Sequence, residues 1–241
     1  GGIRLMLVAT DAEKERQKAA DASAAPISGQ VVIGGQSRIV VEPSEESVAV
    51  YYILEIMNTA RAPVNPPTPF EFDMPAGMVG TAVLQGSSPL SSISDGRVKV
   101  AGPFPSGTTT LEVGGSMPVA SGTLQLTQAF PATFEQPVLI VKKDGQLRVS
   151  SPQFDRQQET VVESGATVII SAGNAIAAGQ PISVTLSGLA YHSSAPQMVA
   201  LALAAGIALV GALLAMRPSD PAFAANERKR LLARREKLLQ D

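Results

Sequence analysis

Ser47-Val48-Ala49-Val50-Tyr51-Tyr52-Ile53-Leu54-Glu55-Ile56-Met57-Asn58 is the stretch on which the fold turns. Val48, Val50, Tyr52, Leu54 and Ile56 recur at every second position, the period of a strand rather than a helix. Tyr51 and Ile53, on the alternate positions, are apolar as well. The stretch is therefore expected to be a central strand covered on both faces. Shorter pieces around it repeat the pattern. Ile182, Val184 and Leu186 alternate with Ser183, Thr185 and Ser187, and Leu124, Leu126 and Phe130 with Thr123, Gln125 and Thr127. Val98 and Val100 flank Lys99. Gly34-Gly35, Asp95-Gly96 and Asp144-Gly145 stand between such runs, where tight hairpins call for residues that tolerate positive φ. On the order of a dozen short strands without a helical period imply an all-β sandwich or barrel, and an Ig-like β-sandwich is expected. One large sandwich or two lobes meeting near 143–151 both fit.

Composition narrows the chemistry. Of 241 residues, 45% are hydrophobic but only 4% aromatic, so small and branched side chains must fill the core. Eighteen Pro and 21 Gly supply turns, and no glycine period points to collagen. With no Cys there is no disulfide framework, thiolate zinc site or cysteine nucleophile. A single His excludes a His-rich metal site and argues against a His-dependent triad. A formal net charge of −2 gives no reason to expect nucleic acid as a partner.

A second pattern begins past the strands. Met198 to Met216 is an unbroken run of apolar and small residues, and no residue between Glu163 and Arg217 is charged. At about 1.5 Å per residue the run covers roughly 28 Å, close to the hydrocarbon core of a bilayer, so a single transmembrane helix is expected over 196–217. Arg217, Arg228, Lys229, Arg230, Arg234, Arg235 and Lys237 follow it, against Asp220, Glu227, Glu236 and Asp241. The positive-inside rule then puts the C-terminal tail in the cytoplasm and residues 1–195 outside.

The resulting organisation has four parts. Residues 1–25 are a strand remnant (Ile3 to Val8) and a charged helix or linker, and 26–195 are the extracytoplasmic β-region. The membrane helix, 196–217, and a basic cytoplasmic tail helix, 218–241, complete the chain. Ala200, Ala204, Ala208 and Ala212 recur every four residues, and Gly211 and Ala215 repeat the small-residue spacing, a ridge on which helices of other integral-membrane subunits can pack closely. Pro221 follows Ser219-Asp220 as a helix start, and Arg228, Lys229, Arg230, Arg234 and Arg235 beyond it suit an anionic inner-leaflet surface.

Val50-Tyr51-Tyr52-Ile53-Leu54-Glu55-Ile56 with Asn58, Pro63, and Phe70-Glu71-Phe72-Asp73-Met74-Pro75 form one motif set. Gly102-Pro103-Phe104, Gly107-Thr108-Thr109 and Ser150-Ser151-Pro152-Gln153 extend it. Together these resemble bacterial single-pass envelope proteins with carboxypeptidase-regulatory-like or Ig-like β-sandwich ectodomains. The resemblance implies a β-sandwich, an export route to the inner membrane of a bacterium with the N-terminal domain periplasmic or extracellular, and a role closer to accessory and adhesion modules than to catalysis.

Catalytic signatures are scarce. No G-x-S-x-G elbow, P-loop, H-E-x-x-H or EF-hand spacing occurs in the sequence. His192 beside Tyr191 suits an interfacial residue better than a ligand or proton relay. Glu71 and Asp73, two apart on a strand, share a face. They could act as acid and base or bind a cation, but a solvent-facing pair opposite Phe70, Phe72 and Met74 is the commoner arrangement. The segment Arg61 to Pro69 carries Pro63, Pro66, Pro67 and Pro69, a stiff extended loop suited to docking or to crossing between sheets.

The expected function is that of a non-catalytic accessory or structural subunit without a cofactor. It would brace a larger integral-membrane complex, of respiratory or photosynthetic type, through helix packing and its β-sandwich. The alternative is a free-standing envelope module that binds a ligand or protein. A hydrolase using Glu71 and Asp73 is the least favoured reading.

Overall fold

The computed structural model describes residues 16, 23–190, 195–215 and 221–237. The strands run in the order β1 (Ile27–Ser28), β2 (Val32–Ile33), β3 (Arg38–Pro43), β4 (Ser47–Asn58), β5 (Val64–Asn65), β6 (Phe70–Asp73), β7 (Val79–Val83) and β8 (Ser91–Ser94). They continue as β9 (Arg97–Val100), β10 (Gly107–Pro118), β11 (Thr123–Gln128), β12 (Val138–Lys142), β13 (Arg148–Ser150), β14 (Arg156–Val161), β15 (Thr167–Ala172) and β16 (Ile182–Ser187). Helices α1 (Ala195–Ala215) and α2 (Pro221–Lys237) follow. The chain divides into two units at His192/Ser193, the strands in the first and both helices in the second.

β4 and β10 are the spine of the first unit. They pair antiparallel along their whole length, from Ser47↔Pro118 to Asn58↔Gly107. An eight-stranded sheet grows from them in the order β14-β15-β12-β3-β4-β10-β7, with β2 also on β4. The junction between β3 and β12 is parallel, so strands from the two halves of the sequence share one sheet. Two smaller sheets, β6-β9-β8 and β11-β16-β13, supply the opposing layer. Every second residue of β4 is buried: Val48, Val50, Tyr52, Leu54 and Ile56 are at most 1% exposed. The other face is only half-buried at Tyr51, Ile53 and Met57, so the expectation of cover on both sides is corrected. The main sheet has one packed face and one open face, as antiparallel sheets commonly do.

Aromatic rings join the layers. Tyr52 meets Phe72 and Phe130 edge-on at 6.4 and 5.7 Å, and Phe130 also meets Phe72 at 5.1 Å and Phe134 at 5.8 Å. These rings belong to one continuous core running from Val31 to Leu189. The Tyr52 hydroxyl has no hydrogen-bond partner among the described residues, and burial pushes its pKa far above the usual phenol value. An unmet buried hydroxyl costs its desolvation, so Tyr52→Phe is expected to leave the melting temperature unchanged or raise it, by about 1 kcal/mol of stability at most. A fall of several degrees on calorimetry would mean that the hydroxyl is bonded after all.

The turns follow local chemistry. Asp95 (φ 51°) and Gly96 (φ 75°) form the two-residue connection between β8 and β9, both in the left-handed region that a type I′ hairpin demands.

The transmembrane reading is where the structure departs from expectation. Among the described residues no helix is long and apolar enough to cross a membrane. α1 is helical over Ala195–Ala215. The membrane helix over 196–217, the single-pass topology and the ectodomain-plus-anchor fold class are therefore not shown. His192, Arg217 and residues 3–8, on which parts of the sequence reading rested, lie outside the described residues.

Candidate functional site

Glu71 and Asp73 do share a face of β6, and each stands opposite a cation of β9: Glu71↔Lys99 and Asp73↔Arg97 are register partners. Lys99 Nζ lies 2.9 Å from Glu71 Oε1. Arg97 Nε and Nη2 donate to the two Asp73 carboxylate oxygens at 2.7 and 3.2 Å. Both carboxylates are thus committed to cross-strand ion pairs. No group of three or more candidate metal ligands occurs among the described residues.

The Arg97 hydrogen bond holds the Asp73 carboxyl below its ordinary value, opposed by desolvation and aided by the Arg97 charge. A depressed folded-state value means that the pair contributes stability above the unfolded carboxyl pKa and loses it as pH falls through the folded one. Both side chains are more than 60% exposed, so the contribution is small. In Arg97→Gln the Asp73 titration midpoint is expected to rise toward the ordinary carboxylate value, read by carboxyl carbon NMR. An unchanged midpoint would show that the pair is not formed in solution.

The proline segment is tied into the fold. Asn58, buried at 3% exposure, donates through Nδ2 to the carbonyls of Ala62 and Phe104, both at 2.9 Å, and Val64 is buried against the core. Pro66 and Pro67 line a small cavity of about 180 Å³ with Phe70 and Pro131. Of the helix residues, Ala200, Ala204, Ala208, Gly211 and Ala212 are exposed along α1. Ala215 is helical without a described side chain, and Arg228, Lys229, Arg230, Arg234 and Arg235 are exposed on α2.

Two features of the β-unit were not foreseen. The first is the open face of the main sheet. Strand register lines up Gln158, Ile170, Ile140, Val40, Tyr51 and Gly114 in one row across β14, β15, β12, β3, β4 and β10. Ile170, Ile140, Val40 and Tyr51 are half-buried. A Cβ on Gly114 would come within 2.6 Å of Tyr51 Cδ1, so the ring lies over β10 where no side chain stands. The row on one side carries exposed Lys142 and Glu42, and the row on the other Arg156, Arg38 and Glu112. An apolar centre with an aromatic ring and a charged rim is the anatomy of a protein interface.

The second feature is a groove of about 430 Å³ lined by 71–76 on one side and 127–131 on the other, with Gly179. It separates β6 from β11, the edge strands of the two smaller sheets. Gln128 sits in it, 3% exposed. The alternation that turns Leu124 and Leu126 inward also turns Gln128 inward, a signal present in the sequence but overlooked at a polar residue. No protein-family model matches the chain, and no curated protein matches it in sequence.

Proposed function

We propose that the protein is a non-catalytic accessory component that works by holding a protein partner against the open face of its main sheet. The row Ile170, Ile140, Val40 and Tyr51 carries this reading: four adjacent strands present apolar side chains that the fold leaves half-covered. Scattered apolar residues need no explanation, but a contiguous strip rimmed by charge does. Glu71 and Asp73, on β6 of a smaller sheet, are committed to Lys99 and Arg97, which favours binding over hydrolysis as the protein's role. The resemblance to accessory and adhesion modules points the same way.

Lys142, exposed in the row beside Ile140, gives the test a handle. Amine cross-linking of the full chain in cells of its source, followed by mass spectrometry, is expected to give an intermolecular link at Lys142 to one partner in fixed ratio. Links confined to lysines off this face, or a Lys142 link that survives substitution of Tyr51, would overturn the reading.

A further inference from the structure

We propose that the groove between β6 and β11 is a receiving slot for an extended peptide segment of a partner protein, which inserts as the missing strand between the two smaller sheets. The inference rests on the reading of this protein as a binding component, but it names a different surface and a different mode of contact.

Backbone direction carries the argument. Met74 N–H donates to the Gly96 carbonyl on the β9 side, so Phe70, Phe72 and Met74 address β9 and the peptide groups of Glu71 and Asp73 point the other way; the Glu71 N–H turns back to the Pro69 carbonyl, which leaves the Asp73 N–H and the Glu71 carbonyl on that edge. Ser183 N–H donates to Gln153 Oε1, on the side of β16 away from β11. The β11–β16 ladder therefore runs through Leu124, Leu126 and Gln128, and the peptide groups of Thr127 and Ala129 face away from it. Two strand edges thus border one groove, each with main-chain groups, Asp73 N–H on one and Thr127 and Ala129 N–H on the other, that pair with no strand among the described residues. Buried main-chain groups are nearly always paired, and unpaired edges are templates for another strand.

Gln128 shows what the slot accepts. Its Nε2 donates to the Asp73 carbonyl at 3.1 Å and to the Ala129 carbonyl at 2.7 Å, one bond to each edge. A single carboxamide thereby stands where the amide of an intervening strand would stand. It does so incompletely, because Oε1 is buried without a partner among the described residues. An extended main chain presents N–H and C=O to both sides in alternation and matches both edges at once. Phe72, Met74 and Phe130 line the groove beneath the edges, so the inserted segment would alternate apolar and polar side chains.

The probe is an acetylated, amidated pentapeptide of alternating Thr and Val, added to the full chain and read by hydrogen–deuterium exchange. The amides of Asp73, Thr127 and Ala129 are expected to exchange at least about tenfold more slowly with the peptide present. The same peptide N-methylated at alternate residues is expected to give no protection. Thr127→Pro removes a free-edge donor without touching the ladder and is expected to abolish protection, with unchanged exchange in β12 reporting an intact fold. Protection at 156–161, where β14 is exposed along its length, would overturn the slot in favour of addition at that edge. No protection anywhere would overturn it as well. Neither result alters the expected Lys142 cross-link, so failure of the slot and failure of the open-face reading are separable.

Discussion

Phe130→Ala is expected to destabilise the β-unit by about 3–5 kcal/mol, the range for emptying an aromatic site in a packed core. Phe130 is 4% exposed and meets three other rings, Tyr52, Phe72 and Phe134, all edge-on within 6 Å. It lies between the end of β11 and the inner face of β4, so its loss removes a contact from both layers together. Each edge-on pair adds about 0.5–1.5 kcal/mol beyond simple burial. At about 2–4 °C per kcal/mol for a unit of this size, the melting temperature should fall by roughly 10 °C. Phe130→Leu refills most of the volume and is expected to recover more than half of the loss. A shift of only a degree or two in Phe130→Ala would mean that the two layers are not joined through this ring.

Tyr51→Ala is expected to weaken the captured partner by about 2–4 kcal/mol, roughly 30- to 1000-fold in affinity, if the open face is the contact surface. The ring is the largest side chain of the apolar row and closes it beyond Val40, lying over Gly114, so truncation uncovers β4 and β10 together. Stability should hardly change, because Tyr51 is half-exposed and forfeits only a cross-strand pair of about 0.2–1 kcal/mol. That contrast with the neighbouring Tyr52 is the diagnostic. Tyr51→Phe keeps the ring and is expected to retain most of the affinity. The Lys142 cross-link and a titration against the purified partner both read the effect, and unchanged affinity in Tyr51→Ala would remove the open face from consideration.

The strands were the most legible part of the molecule. Alternation is a local property, and a half-buried strand must show it in its own residues. Ile182, Val184 and Leu186 alternate and are buried on β16; Phe70, Phe72 and Met74 do the same on and just after β6. Asp95-Gly96 was legible for a similar reason, since positive φ at two successive positions is a demand on those two residues alone. The apolar run after Met198 was read correctly as helical, but the span it implied is not shown by the described part of α1.

The sequence by itself determined where strands and turns form, which side of each strand is apolar, and that cysteine chemistry is absent. Those are consequences of side-chain period and residue type, which a chain carries wherever it goes. Only the tertiary structure decided which strand stands beside which. It placed Lys99 and Arg97 against Glu71 and Asp73, turning a possible acid–base pair into two ion pairs. It drew Ile170, Ile140, Val40 and Tyr51 from four strands into one row, and set the free edges of β6 and β11 across a groove bridged by Gln128. Such juxtapositions depend on register between segments as many as 130 residues apart, such as Val40 and Ile170, and no local pattern encodes register.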